Sequence, residues 1–116
     1  MAKSKKAITR ADVERYEFLR PLLDGLYDDV RGLAGRKQDG VFSKQRIASI
    51  NKLLGSVREL LSAEPTFAYL ELLDEGTIPR NADVLLVLGQ YRSAMEHFHD
   101  KYTYEGELGD EEWSIR

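Results

Sequence analysis

Apolar positions recur every three or four residues through four stretches of the chain, and no stretch alternates apolar and polar residues long enough to predict a strand. The first stretch predicts a helix from about Arg10 to Gly35, with Tyr16, Leu19, Leu23, Leu26, Val30 and Leu33 on one face. Thr9 is placed to cap its start, and Asp12 three residues on completes a weak capping-box pattern. Pro21 removes a backbone donor and biases Arg20 away from the helical region. The apolar phase continues across it, so the pattern predicts a kink rather than a restart. Gly32 and Gly35, followed by Arg36 and Lys37, provide a C-terminal stop.

Asp39-Gly40 signals a turn, and Ser43 caps a second helix predicted over about Lys44 to Ala63. Its apolar positions are Ile47, Ile50, Leu53, Leu54, Val57, Leu60 and Leu61, with Lys44, Asn51, Lys52, Arg58 and Glu59 assigned to the other side. Pro65 ends it. A short third helix is predicted over about Thr66 to Glu75, carrying Phe67, Tyr69, Leu70 and Leu73 and closed by Gly76. After the linker Thr77 to Arg80, Asn81 is placed to cap a last helix that runs to about Tyr102.

These elements predict an all-α fold, an antiparallel bundle of three long helices plus one short helix over residues 9–102. A flexible basic start, residues 1–8 with Lys3, Lys5 and Lys6, precedes the bundle. An acidic tail, residues 103–116, follows it and is expected to be extended or partly disordered.

The 116 residues include no cysteine, which excludes a disulfide framework, a zinc ribbon and a cysteine nucleophile. That usage fits a reducing compartment, so a cytoplasmic location is expected. With two histidines and no cysteine, a dedicated transition-metal site is not expected, and no cofactor motif is present. The longest fully apolar run, Val84 to Leu88, is too short to span a bilayer. Net charge is −3 but unevenly placed: residues 1–58 carry +6 and residues 59–116 carry −9. Such polarity arises when two halves attract within one fold, and also when copies stack head to tail.

The last predicted helix has more apolar surface than one bundle face requires. Val84, Leu88, Tyr91, Met95, Phe98 and Tyr102 share a stripe, while Leu85 and Leu86 sit about 100° and 200° away from Val84. Either the short third helix covers that second side or another chain does. The tail adds Trp113, the only tryptophan, among acidic residues. It serves either as an anchor for a partner or as a lid on this chain's own bundle.

One stretch of the same helix carries candidate chemistry. In Arg92-Ser93-Ala94-Met95-Glu96-His97-Phe98-His99 an arginine precedes histidines after four and six intervening residues. This spacing resembles the R-x4–6-H signature of HEPN-type ribonucleases, small helical domains that usually work as dimers. The resemblance covers eight residues and the all-α class. It departs from the family pattern at Ser93, where a polar Asn, Asp or His often stands. It implies metal-independent attack on an RNA phosphate in a cleft shared by two subunits.

On a continuous helix Arg92 and His97 point to different sides, about 140° apart, whereas His99 lies about 20° from Arg92 with Glu96 between them. The site under this reading is Arg92, Glu96 and His99, with His99 as acid/base, Arg92 stabilising phosphate charge and Glu96 orienting one of them. An Arg–Glu pair four residues apart is equally an ordinary solvated ion pair, and a histidine in a last helical turn also answers the helix dipole.

The basic first half invites a nucleic-acid reading through residues such as Lys44 and Lys52, but acids are interspersed and no recognised helix-turn-helix or RNP-type motif appears. The expected function is therefore that of a non-enzymatic interaction protein. It acts as a homo-oligomer or accessory subunit, with Leu85, Leu86 and Trp113 as contact residues and no membrane partner.

Overall fold

The computed structural model describes residues 7–37 and 40–116. Lys3, Lys5, Lys6 and Asp39 lie outside the described residues. Three long helices carry the fold: α1 (Arg10–Arg36), α2 (Lys44–Leu60) and α3 (Asn81–Tyr102). A 3-10 turn (Pro65–Tyr69) lies between α2 and α3, and a hairpin of β1 (Thr103–Glu105) and β2 (Glu111–Trp113) follows α3. No helix among the described residues is long and apolar enough to cross a membrane.

α1 is one uninterrupted helix across Pro21, with no restart. Pro21 is exposed, while Leu19 and Leu23 on either side of it are buried and hold the flanking turns to the core. Thr9 caps the helix as expected, its hydroxyl accepting from the Asp12 amide at 3.1 Å. Ser43 caps α2 in the same way, accepting from the Arg46 amide at 3.2 Å. α3 packs chiefly along α1. Its stripe of Val84, Leu88, Tyr91, Met95, Phe98 and Tyr102 is buried throughout. At about 20–33 cal/mol per Å² of apolar surface, this shared core supplies the main driving force for folding.

Four expectations are corrected. The third helix does not form. Only the 3-10 turn is helical, because Leu70 turns extended and the next carbonyls find partners on the long helices. Arg58 Nε donates to the Leu70 carbonyl at 2.8 Å and the Tyr91 hydroxyl donates to the Glu71 carbonyl at 2.7 Å. Asn51, assigned above to the solvent side of α2, is buried and forms a pair of bonds with Leu73. Its Nδ2 donates to the Leu73 carbonyl and its Oδ1 accepts from the Leu73 amide, both at 2.8 Å. A backbone satisfied in this way has no need of helical bonds of its own.

The second correction concerns both ends of the chain. Residues 103–113 of the expected tail form a hairpin instead, which adds a small antiparallel β element to the helical bundle. Thr103 pairs with Trp113, Tyr104 with Glu112 and Glu105 with Glu111. Ile8, placed by its sequence in a flexible start, is buried and bridges to Ile115, its amide donating to the Ser114 carbonyl at 3.0 Å.

Third, α2 stops at Leu60, and a turn in which the Glu64 amide donates to the Leu61 carbonyl replaces the last predicted residues. Fourth, Asn81 does not cap α3; Arg80 holds the cap position without a side-chain capping bond. Asn81 is buried, and its Nδ2 donates to the Lys37 carbonyl at 2.8 Å, closing the end of α1. Gly40 makes room for that contact, since a Cβ there would lie 2.7 Å from Asn81 Nδ2.

Candidate functional site

Two features stand on the α1–α3 side of the molecule: an open groove along the outer face of α3 and a polar cluster at its lower end. The groove encloses about 1000 Å³. Its floor follows α3 through Ala82, Leu85, Leu86, Gly89 and Ser93; Tyr27 and Arg20 of α1 stand on one side, and Thr66 and Tyr69 of the 3-10 turn on the other. Ala82, Gly89 and Ser93 contribute short side chains to its lining.

Leu85 is half-buried: it packs against the core and also lines the groove, so one of the two surplus leucines is covered in part within the chain. Leu86 is 66% exposed and Tyr69 is 78% exposed, both facing this groove. Thr66 Oγ1, in the groove wall, is buried with no hydrogen-bond partner among the described residues.

The polar cluster ties α1 to α3 by crossed ion pairs. Arg20 of α1 reaches Glu96 of α3 at 2.8 Å and Asp24 at 3.1 Å, while Arg92 of α3 reaches back to the same Asp24 at 3.1 Å. Arg20 also donates to the Tyr16 hydroxyl, and the Arg92 guanidinium lies over the Tyr27 ring, 4.2 Å from its centre. Burial opposes the charge on Arg20, but the bond to Glu96 and the charges around it hold its pKa above the ordinary arginine value.

His99 sits at the far end of this cluster. Its Nε2 is 2.8 Å from Glu111 of β2, and its Nδ1 is 3.1 Å from Asp100 and 4.0 Å from Glu96. The ring stacks on Tyr16 and meets Trp113 edge-on at 5.6 Å. Partial burial works against its protonation, yet the bonds to Glu111 and Asp100 and the neighbouring carboxylate charges outweigh that, and its pKa is raised. Imidazolium is the form that satisfies the geometry, since both ring nitrogens then donate to carboxylates.

Arg92, Glu96 and His99 therefore share a side of α3, as the helical spacing predicts, but each is engaged by a different charge. Arg92 lines the groove, while His99 lines a separate recess with Tyr16, Glu111 and Trp113. His97 lines the groove and is exposed. Ligand atoms of Glu96, His99 and Asp100 come within 4.8 Å of one another, the grouping among the described residues able to take a cation. Glu96 already receives Arg20, and a single imidazole with two exposed carboxylates is a poor transition-metal set.

Trp113 folds onto its own bundle, edge-on to Tyr16 at 5.0 Å. Lys44 and Lys52 are exposed on α2, whereas Arg58 is drawn into the fold, bonded to Leu70 and stacked on Phe67. Sequence reasoning did not single out Glu64, which is 8% exposed and joins the end of α2 to α3. It accepts from Lys101 at 2.9 Å and from the Tyr102 hydroxyl at 2.7 Å. An isolated glutamate before a proline offers no pattern that would have marked it.

Fold and groove together define a small, mostly helical bundle closed by a C-terminal hairpin. No protein-family model, no curated protein and no solved structure matches the chain.

Proposed function

We propose that this chain is a non-enzymatic interaction module, a homo-oligomer or an accessory subunit of a larger assembly, that meets its partner along the α3 groove. A cytoplasmic location belongs to the same proposal. The observation that carries the reading is Leu86, 66% exposed on the floor of a groove whose rim holds a second exposed apolar residue, Tyr69. Covering a leucine side chain is worth about 1.5–3 kcal/mol, so a partner seated here gains from a surface the monomer leaves wet.

Gly89 and Ser93 favour a helical partner, because short side chains let a second backbone approach. Arg92 and His99 give less support to the ribonuclease alternative, since both are held by carboxylates of this same chain. The α2 lysines give the nucleic-acid alternative exposure but no organised array.

Sedimentation of the purified chain over a range of concentrations tests the proposal. A mass above the monomer that Leu86→Glu lowers supports the homo-oligomeric form. Identical sedimentation of wild type and Leu86→Glu counts against the groove as a self-contact.

A further inference from the structure

A second apolar feature lies far from the α3 groove. Leu108 is 90% exposed at the tip of the hairpin. The turn that presents it is tight: the Gly106 amide donates to the Asp110 carbonyl, the Gly109 amide donates to the Gly106 carbonyl, and Gly109 has a φ of 81°. That left-handed conformation favours glycine. Glu107 and Asp110, both exposed, frame it, so the tip is an apolar knob between two acids.

The opposite end of the molecule carries the complement. A cleft of about 580 Å³ opens between the last turns of α1 and the first half of α2. Val30, Phe42 and Ile50 form its buried floor, and Arg36 and Arg46 stand exposed at its edge. Asp29 also lines it, so the rim is not uniformly basic. The Arg46 guanidinium lies over the Phe42 ring at 5.7 Å, which places a cation directly beside the apolar floor.

No copy can fill its own cleft. The hairpin follows the C-terminus of α3 and bridges to Ile8 at the start of α1, whereas the cleft lies beside the Val41–Arg80 bridge at the other end. The stretch of α1 from Arg10 to Leu26 puts about 24 Å between the two, in a molecule 53 Å long.

We propose that copies of this chain join head to tail, the Leu108 knob of one entering the α1–α2 cleft of the next, with Glu107 and Asp110 meeting Arg36 and Arg46. The occupant is a second copy because the knob and the cleft are complementary in polarity and, through Glu107 and Asp110 against Arg36 and Arg46, in charge sign. The contact is heterologous, using two different patches, so it propagates into a ring or filament rather than closing as a dimer. It is independent of the α3 groove.

Sedimentation in the Leu86→Glu background at low and high salt isolates this contact. The expected result is assembly that grows with concentration and weakens as salt rises. Leu108→Ser weakens it at least about tenfold. The pair Arg36→Glu with Arg46→Glu does the same, and all three positions are exposed, so circular dichroism should show an unchanged fold.

The decisive arm mixes the two deficient proteins. Leu108→Ser retains an intact cleft and Arg36→Glu/Arg46→Glu retains an intact knob, so together they form a one-to-one dimer that grows no further. A monomeric Leu86→Glu protein at every concentration and low salt, or a mixture that stays monomeric, would overturn the proposal. Leaving Leu86 native in the Leu108→Ser protein reads the α3 contact alone, which keeps the two surfaces distinguishable.

Discussion

His99 Nε2 lies 2.8 Å from Glu111 Oε2, joining the last turn of α3 to the strand that closes the hairpin. Asp100 and Glu96 face the same ring from α3, and Tyr16 from α1 and Trp113 from β2 enclose it. The folded pKa of His99 is raised above the ordinary 6.5 by these carboxylates, acting against partial burial. A raised folded pKa contributes stability that is fully present below pH 6.5 and is lost as pH rises through the folded value. Thermal unfolding should therefore occur at a lower temperature above that window. His99→Gln should remove this part of the pH dependence, and an unchanged difference between the two pH limits would refute the linkage.

Asn51 offers a stability test. Replacing it by alanine leaves the Leu73 amide and carbonyl without their partner in a buried setting. Each stranded group costs about 1–3 kcal/mol, so Asn51→Ala should lower unfolding free energy by roughly 3 kcal/mol in urea titration. A change below about 1 kcal/mol would mean that water replaces the side chain at little cost.

The hairpin depends on Trp113, which packs edge-on against Tyr16 and His99. Trp113→Ala should cost about 2 kcal/mol, less than a fully buried tryptophan, because the residue is half-buried. Hydrogen exchange should show the Gly106 and Ser114 amides, which donate to Asp110 and Tyr102, losing protection before those of α1 and α3. Equal loss throughout the chain would show that the hairpin and bundle unfold as one unit.

Gly40 is tied to Asn81 by contact rather than by turn angle. A Cβ at position 40 would stand 2.7 Å from Asn81 Nδ2 and 3.2 Å from the Lys37 carbonyl. Gly40→Ala should displace Asn81 and destabilise the chain by about 1–3 kcal/mol, measured by thermal or urea unfolding. A neutral substitution would show that this corner yields freely.

For the proposed interaction role, single-stranded RNA incubated with the purified chain in a chelator should remain intact on a denaturing gel. Cleavage that disappears with both Arg92→Ala and His99→Ala would instead favour the ribonuclease alternative.

Much of the helical framework was legible in the amino-acid order alone. Thr9 and Ser43 cap their helices because a hydroxyl meeting the third amide along is a local event within one turn. The α3 stripe from Val84 to Tyr102 follows from helical period. The shared side of Arg92, Glu96 and His99 is likewise a property of one helix. Their partners were not legible, since Asp24, Arg20 and Glu111 arrive from other elements.

The amino-acid sequence by itself determined which segments become long helices and which of their faces are apolar, because those depend on residues within a few positions of one another. Only the tertiary structure decided that residues 70–80 stay irregular, that Asn51 turns inward and that residues 103–113 form a hairpin. Each of those outcomes rests on a bond between distant residues: Tyr91 with Glu71, Asn51 with Leu73, His99 with Glu111. Leu86 shows the same division, since helical spacing identifies it as surplus to the core stripe, but only the walls raised by Tyr27 and Tyr69 turn that surplus into the floor of a groove.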